Sequence, residues 1–323
     1  MKPRTWILLT IAVAAGTALL TIALNMSLDI YGIFRDPHGR KLDVYGDERI
    51  AKYLLSERYV PENFNAVLIG SSVTANWKTR NIEGLRVYNE SLRGGNIVEE
   101  KAVMEQALSR PGIRVAFLLV HPFMTSSHEF ETVPLTPREN IGALGSQSLL
   151  DAYKDVIRSR YRPGDRDDHF DEFGTNDYEP PSKLNATLTA MMKPGADFAV
   201  DDVALQAYGQ LVSDLRTHGI QIVFLIPPVS QRILDIKRDA FLKYDRMILT
   251  LEKPGDSILG FSSEKFDSSL GRNENFSDGV HLTRAGAARL IRVLNACHQS
   301  GGFTAVDPSL AARLENIGQP AVK

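Results

Sequence analysis

A serine, a histidine and an aspartate can carry out together a reaction that none of them performs alone. In "IGSS", residues 69–72, Ser71 and Ser72 directly follow a short apolar run, and in "DGVH", residues 278–281, Asp278 stands three positions before His281. A serine hydroxyl is a weak nucleophile until a base takes its proton, a third group orients that base, and N–H donors receive the oxyanion. Imidazole is the usual base, and a carboxylate three residues away on one short loop can reach its Nδ1. A plainer reading competes at each place. Gly-Ser-Ser after a strand also makes a helix cap or a phosphate-binding turn. An acidic residue also suits the positive end of the helix that begins in "HLTRAGAARLIRVL", where Thr283 has the type and place of an N-cap. The outcome depends on whether the fold brings residue 72 to residue 281.

The elements that would do so are readable from apolar runs and their stops. "NAVLIG" (65–70) reads as a buried strand ended by a turn, "LRVYNES" (85–91) as a second strand and "IRVAFLLVHPF" (113–123) as a third. "IQIVFLIPP" (220–228) is a fourth and "DSILGFSS" (256–263) a weaker fifth. Between them, "NIVEEKAVMEQALSR" (96–110) is a helix with Val98, Val103, Met104 and Leu108 on roughly one face. "DDVALQAYGQLVSDLRTHG" (201–219) is another, started by Asp201 or Asp202 and stopped by Gly219. Nearly continuous apolar strands alternating with helices specify an α/β fold: a parallel sheet covered on both faces. Chemistry in such folds gathers beyond the carboxyl ends of the strands. Ser71 and Ser72, Gly94 and Gly95, His121, and the Asp278–His281 turn all follow strands in that way.

Three blocks then fall in a familiar order. "IGSS", "NESLRG" and "DGVHLTRAG" together resemble the blocks of the SGNH, or GDSL-type, hydrolase superfamily, over about residues 64–296. The resemblance implies a three-layer, flavodoxin-like fold and acyl-ester chemistry without a cofactor. It implies Ser72 as nucleophile, with Ser71 where that family usually has aspartate, and Asp278 and His281 as orienting acid and base. It also implies that the backbone N–H groups of Ser72 and Gly94 form the oxyanion hole. The third block departs from the pattern. Where the family places an asparagine, this chain reads "LLVHPFMTS", so either His121 or Asn96 replaces the donor or the hole has one donor fewer. His121 equally fits a structural hydrogen bond at a strand end. Ser71 in place of the family aspartate, the N-terminal span, the proline-ended strand "LIPPVS" and a long insertion together resemble a narrower branch, the periplasmic proteins that add or remove acetyl groups on bacterial polysaccharides, such as alginate O-acetyltransferases. The expected activity is that of a serine esterase or acyltransferase on extracytoplasmic carbohydrate, with a membrane acyl-donor protein as a candidate partner. A non-catalytic polysaccharide-binding or assembly protein on the same fold is the alternative.

Composition narrows the rest. The chain has 323 residues with 43% hydrophobic and 24% charged, ordinary globular values. A formal net charge of -2 and the lack of a long basic run give no reason to expect nucleic acid. "TWILLTIAVAAGTALLTIALNMSL" (5–28) carries no charge and is long enough to cross a bilayer, and Lys2 and Arg4 before it favour an N-inside anchor with the large domain outside the cytoplasm. Domain organisation reads as a tail and anchor over 1–28, a connector over 29–62, the hydrolase-like domain over 63–300 and a tail over 301–323. An insertion at about 124–197 interrupts the domain with one helix, "SQSLLDAYKDVIRSRY", and much polar sequence. Seven histidines show no metal-binding spacing, and "DRDDHFDEF" (165–173) lacks the glycine and closing glutamate of a calcium loop, so it reads as a solvated acidic loop. The single cysteine, Cys297, reads as packing in the final helix.

Overall fold

The uncharged opening stretch forms one unbroken helix, α1 (Pro3–Leu28), whose 26 residues span roughly 39 Å at about 1.5 Å each. It is apolar on every side, with a mean hydropathy of 2.4 over its most apolar window and none of that window buried, and so is long and apolar enough to cross a membrane. Among the described residues its burial is confined to Asn25, in the last turns. The computed structural model describes residues 3–42, 47–126, 135–161, 170–176, 196–261 and 270–299. The tail at 301–323 and "DRDDH" within the acidic loop lie outside the described residues, as does the side chain of Cys297.

After α1 the chain turns at Asp29, a non-glycine residue at φ 45 whose carboxylate accepts from the N–H groups of Ile33, Phe34 and Arg35. Asp47 then caps α2 (Glu48–Asn63), accepting from the N–H groups of Arg49 and Ile50. Here the expectation of a featureless connector is corrected. α2 lies in the core, with Leu54, Leu55 and Val60 at most 1% exposed. Its buried side also carries Glu48, Lys52, Ser56 and Asn63. Polar residues on the inward face erased the apolar period by which such a helix is recognised.

The sheet follows: β1 (Ala66–Ile69), β2 (Val87–Asn89), then α3 (Ile97–Ala107) and β3 (Val115–Leu119). The insertion contributes α4 (Arg138–Gly142) and α5 (Gln147–Tyr161). The chain returns through α6 (Asp202–Thr217), β4 (Gln221–Ile226), α7 (Gln231–Leu249), β5 (Ser257–Gly260) and α8 (Arg284–Gln299). All five strands are parallel in the order β2-β1-β3-β4-β5. That is the flavodoxin-like order, whose switch point lies between β1 and β3. Successive strand residues point to opposite faces. Thus Val67, Ile69, Ala116 and Leu118 pack into one core shared with α2, α3 and α6. Ala66, Leu68, Val115 and Phe117 pack into another with Leu290, Ile291 and Leu294 of α8. Both faces being covered explains why the strands read as unbroken apolar runs.

The expected ends of the 201–219 helix hold. Asp201 caps α6, accepting from the Ala204 N–H, and Gly219 follows the helix at φ 69. Asn96 caps α3 in a reciprocal box with Glu99. α7 had no counterpart in the sequence reading, although Ile233, Leu234, Lys237, Phe241, Tyr244 and Ile248 recur at helical spacing and are all buried. Its period was there to be found.

Candidate functional site

The loop after β1 is shaped by what crowds it. A Cβ on Gly70 would lie 2.1 Å from Thr74 Oγ1 and 2.9 Å from Ser91 Oγ, so only glycine lets the β1 and β2 loops close on each other. The turn continues with N–H groups of Thr74 and Trp77 donating to the carbonyls of Ser71 and Thr74. Asn89, fully buried at the end of β2, donates from Nδ2 to the carbonyls of Thr74, Ala75 and Trp77 and accepts from the Ser91 N–H. Asn76 ties the same loop to the far end of the chain by donating to the Leu282 carbonyl at 2.8 Å. Asn89 opens the block "NESLRG" read from the sequence, whereas nothing there marked Asn76, whose partner carbonyl is distant in the chain.

The last loop carries the acid and the base. Asp278 Oδ1 accepts from the N–H groups of Val280 (3.1 Å) and His281 (2.9 Å), an Asx turn that leaves Oδ2 for the imidazole at 2.7 Å from Nδ1. His281 Nε2 then meets Ser72 Oγ at 2.9 Å, across 209 residues of sequence. Thr283 closes the loop as the expected cap: its Oγ1 accepts from the Gly286 N–H, and α8 begins beside it. Burial pulls the Asp278 carboxyl upward, but the hydrogen bonds and charge of His281 and the two backbone N–H groups outweigh it, and its pKa falls below the ordinary value. Because an ionised carboxylate can only accept, Nδ1 of His281 carries the proton and Nε2 faces Ser72 with its lone pair.

Gly94 lies on the loop after β2 at φ 64, exposed, and neither its N–H nor that of Ser72 is engaged by a hydrogen bond among the described residues. Asn96 spends its Oδ1 on the N–H groups of Val98 and Glu99. His121 lies at the end of β3, 1% exposed, and its Nδ1 accepts from the Phe123 N–H at 3.3 Å. Its Nε2 is enclosed without a hydrogen-bond partner among the described residues, beside a small cavity that Ile226, Phe241 and Asp245 also line. Burial, helped by nearby His281, lowers its pKa to about 3, so the ring is neutral. The Phe123 ring neighbours both histidines, 4.7 Å from the His121 ring and 6.0 Å from that of His281. Among the described residues no group of three His, Cys, Asp or Glu side chains is arranged to hold a metal ion.

Ser72, His281 and Asp278 are thus brought into one line, with Gly94 on the neighbouring loop, while the Nδ1 of His121 and the Oδ1 of Asn96 are taken by local bonds. No protein-family model matches the chain, and no curated protein is similar to it. Among solved structures, the chain is similar to one described as a platelet activating factor from Streptococcus pneumonia, an assignment its own description leaves provisional. That likeness has 14% identity and a TM-score of 0.43, and covers 78% of this chain and 92% of the other. At that distance it says nothing of activity.

Proposed function

We propose that this chain is a membrane-anchored serine esterase or acyltransferase of the SGNH type that acts on O-acyl esters, O-acetyl above all, of extracytoplasmic carbohydrate. One observation carries the reading: Ser72 Oγ, His281 and Asp278 form a continuous relay at 2.9 Å and 2.7 Å. Ser72 attacks the ester carbonyl as its proton passes to His281 Nε2. The oxyanion is held by the N–H groups of Ser72 and Gly94. Collapse of the tetrahedral species expels the alcohol, which takes the proton back from His281 and leaves an acyl group on Ser72. Water or a second hydroxyl then attacks that ester with His281 again as base. Asp278 keeps the imidazole in the tautomer with the proton on Nδ1 and stabilises the imidazolium when it forms.

The sugar acceptor or donor and the extracytoplasmic location are supported by α1 and by Ser71, the proline-ended strand and the long insertion, which together resemble the polysaccharide-acetylating branch. Whether water or a hydroxyl completes the cycle depends on which reaches the acyl-enzyme, a matter of water exclusion. The test is covalent labelling with a fluorophosphonate, followed by turnover of an activated acetyl ester with and without an acetylated oligosaccharide. Labelling confined to Ser72, with acetyl release or transfer, supports the reading. Native protein that neither labels nor turns over any acetyl ester supports a binding or assembly role in its place.

A further inference from the structure

We propose that Lys52, with Glu48 and Glu100, is a positioning residue for the oxyanion-binding loop, so that α2 serves the reaction as a brace. The inference rests on the seryl-ester reading above and adds to it the groups that hold the Gly94 N–H in place.

Ionisable side chains grip the backbone of the loop on both sides of Gly94. Lys52 Nζ donates to the Ser91 carbonyl at 2.7 Å, and Glu100 Oε1 accepts from the Leu92 N–H at 2.9 Å. Glu48 Oε2 accepts from the Arg93 N–H at 3.2 Å, and Glu99 Oε2 from the Asn96 N–H, also at 3.2 Å. The peptide that carries the Gly94 N–H begins at Arg93, whose own N–H is held by Glu48. Lys52 in turn sets Glu48, with Nζ 3.3 Å from Glu48 Oε1. Within this strapped loop Gly94 is the exposed residue whose N–H makes no hydrogen bond among the described residues.

The grip is costly to maintain, which argues that filling space is not its purpose. Lys52 and Glu100 are 0% exposed and Glu48 is 6% exposed. Buried ion pairs often stabilise a fold less than apolar side chains of similar volume would. What charge-assisted bonds add is short, directional restraint of the backbone. An oxyanion donor needs that restraint, because displacement by about 1 Å costs on the order of 10²-fold in rate. Glu48 lies below the ordinary carboxyl range: burial raises it, and the charges of Lys52 and Arg93 outweigh burial. Glu100 is held well above that range by burial.

The experiment uses the full chain in lipid nanodiscs with an activated acetyl ester. Lys52→Met is expected to lower kcat by a factor on the order of 10 to 10² with KM within about two-fold, because an oxyanion contact is made only in the transition state. Inactivation by a fluorophosphonate, which needs the same donors, should slow by the same factor. Glu100→Leu should follow Lys52→Met, and Glu100→Gln, which retains an acceptor for Leu92, should restore most of the rate. Leu215→Ala in α6, a buried residue away from the loop, supplies a control with similar thermal destabilisation. If Leu215→Ala loses as much kcat as Lys52→Met, or if Glu100→Leu and Glu100→Gln have equal rates, the positioning role is overturned. The glutamate pair decides the matter even if Lys52→Met does not fold. Wild-type turnover in Ser72→Ala would remove the seryl-ester reading and this inference together, whereas Ser72-dependent turnover unaffected at Lys52 and Glu100 would remove this inference alone.

Discussion

Ser71 and Ser72 are neighbours in sequence with different surroundings. Ser72 is half-buried with its Oγ on His281, while Ser71 is buried, bridged to Leu92, with its Oγ 3.5 Å from the Val73 N–H. Replacing Ser72 or His281 by alanine is therefore expected to cost roughly 10⁴ to 10⁶ in turnover, with the double variant little worse, because the groups act as a unit. Ser71→Ala should change turnover by less than about ten-fold on the same scale, and steady-state kinetics with circular dichroism checks all four. His121→Ala carries a second expectation. With Nε2 enclosed, turnover should stay within about ten-fold of wild type, whereas a loss of about 10² to 10³ would put the ring in the oxyanion hole. The serine, acid and base were legible because their types and order are distinctive. Asn89 was legible only as the first residue of the block "NESLRG", and Asn76 not at all, since an asparagine that bonds a remote carbonyl looks in sequence like any loop asparagine.

At the scale of elements, α2 and the end of β2 share a buried carboxyl whose titration is measurable. Burial pushes Glu90 up to about 7, against the hydrogen bond from Ser56 and the charge of Lys52. A raised acid favours the folded state while protonated, so its contribution is complete below the unfolded carboxyl value and is lost as pH rises through about 7. Glu90→Gln should flatten that decline, gaining stability relative to wild type at pH 8 and little at pH 5; parallel denaturant titrations would show it, and identical pH slopes would contradict it. Asp278 has the opposite sign: its depressed pKa contributes stability above the unfolded value that is lost as pH falls through the folded one. The helices that sequence reading found, α3 and α6, advertise caps and stops, Asn96 with Glu99 and Asp201 with Gly219. α2 hid because the polar brace faces inward.

For the molecule as a whole, the alternation of apolar strands with helices was enough to read a parallel, doubly covered sheet, and the order β2-β1-β3-β4-β5 bears that out. The insertion was legible only as an interruption, apart from its helix at Gln147–Tyr161. Orientation belongs at this scale too. A charge-free α1 preceded by Lys2 and Arg4 leads us to expect everything beyond it outside the cytoplasm. Protease added to intact spheroplasts should degrade the domain, and full protection would reverse the orientation. Asn25 gives that arrangement a further meaning. Its Nδ2 donates to the Leu144 carbonyl at 2.6 Å and its Oδ1 accepts from the Tyr153 hydroxyl at 3.0 Å, so the C-terminal end of α1 is clamped to the insertion. On the anchored reading, the domain is mounted on a mast and not tethered by a leash. With the activity proposed above, the clamp would set its stance over the lipid and Ser72 would work like the stylus of a height gauge, reaching those ester groups that a polymer presents at one level and passing over the same groups held nearer or farther.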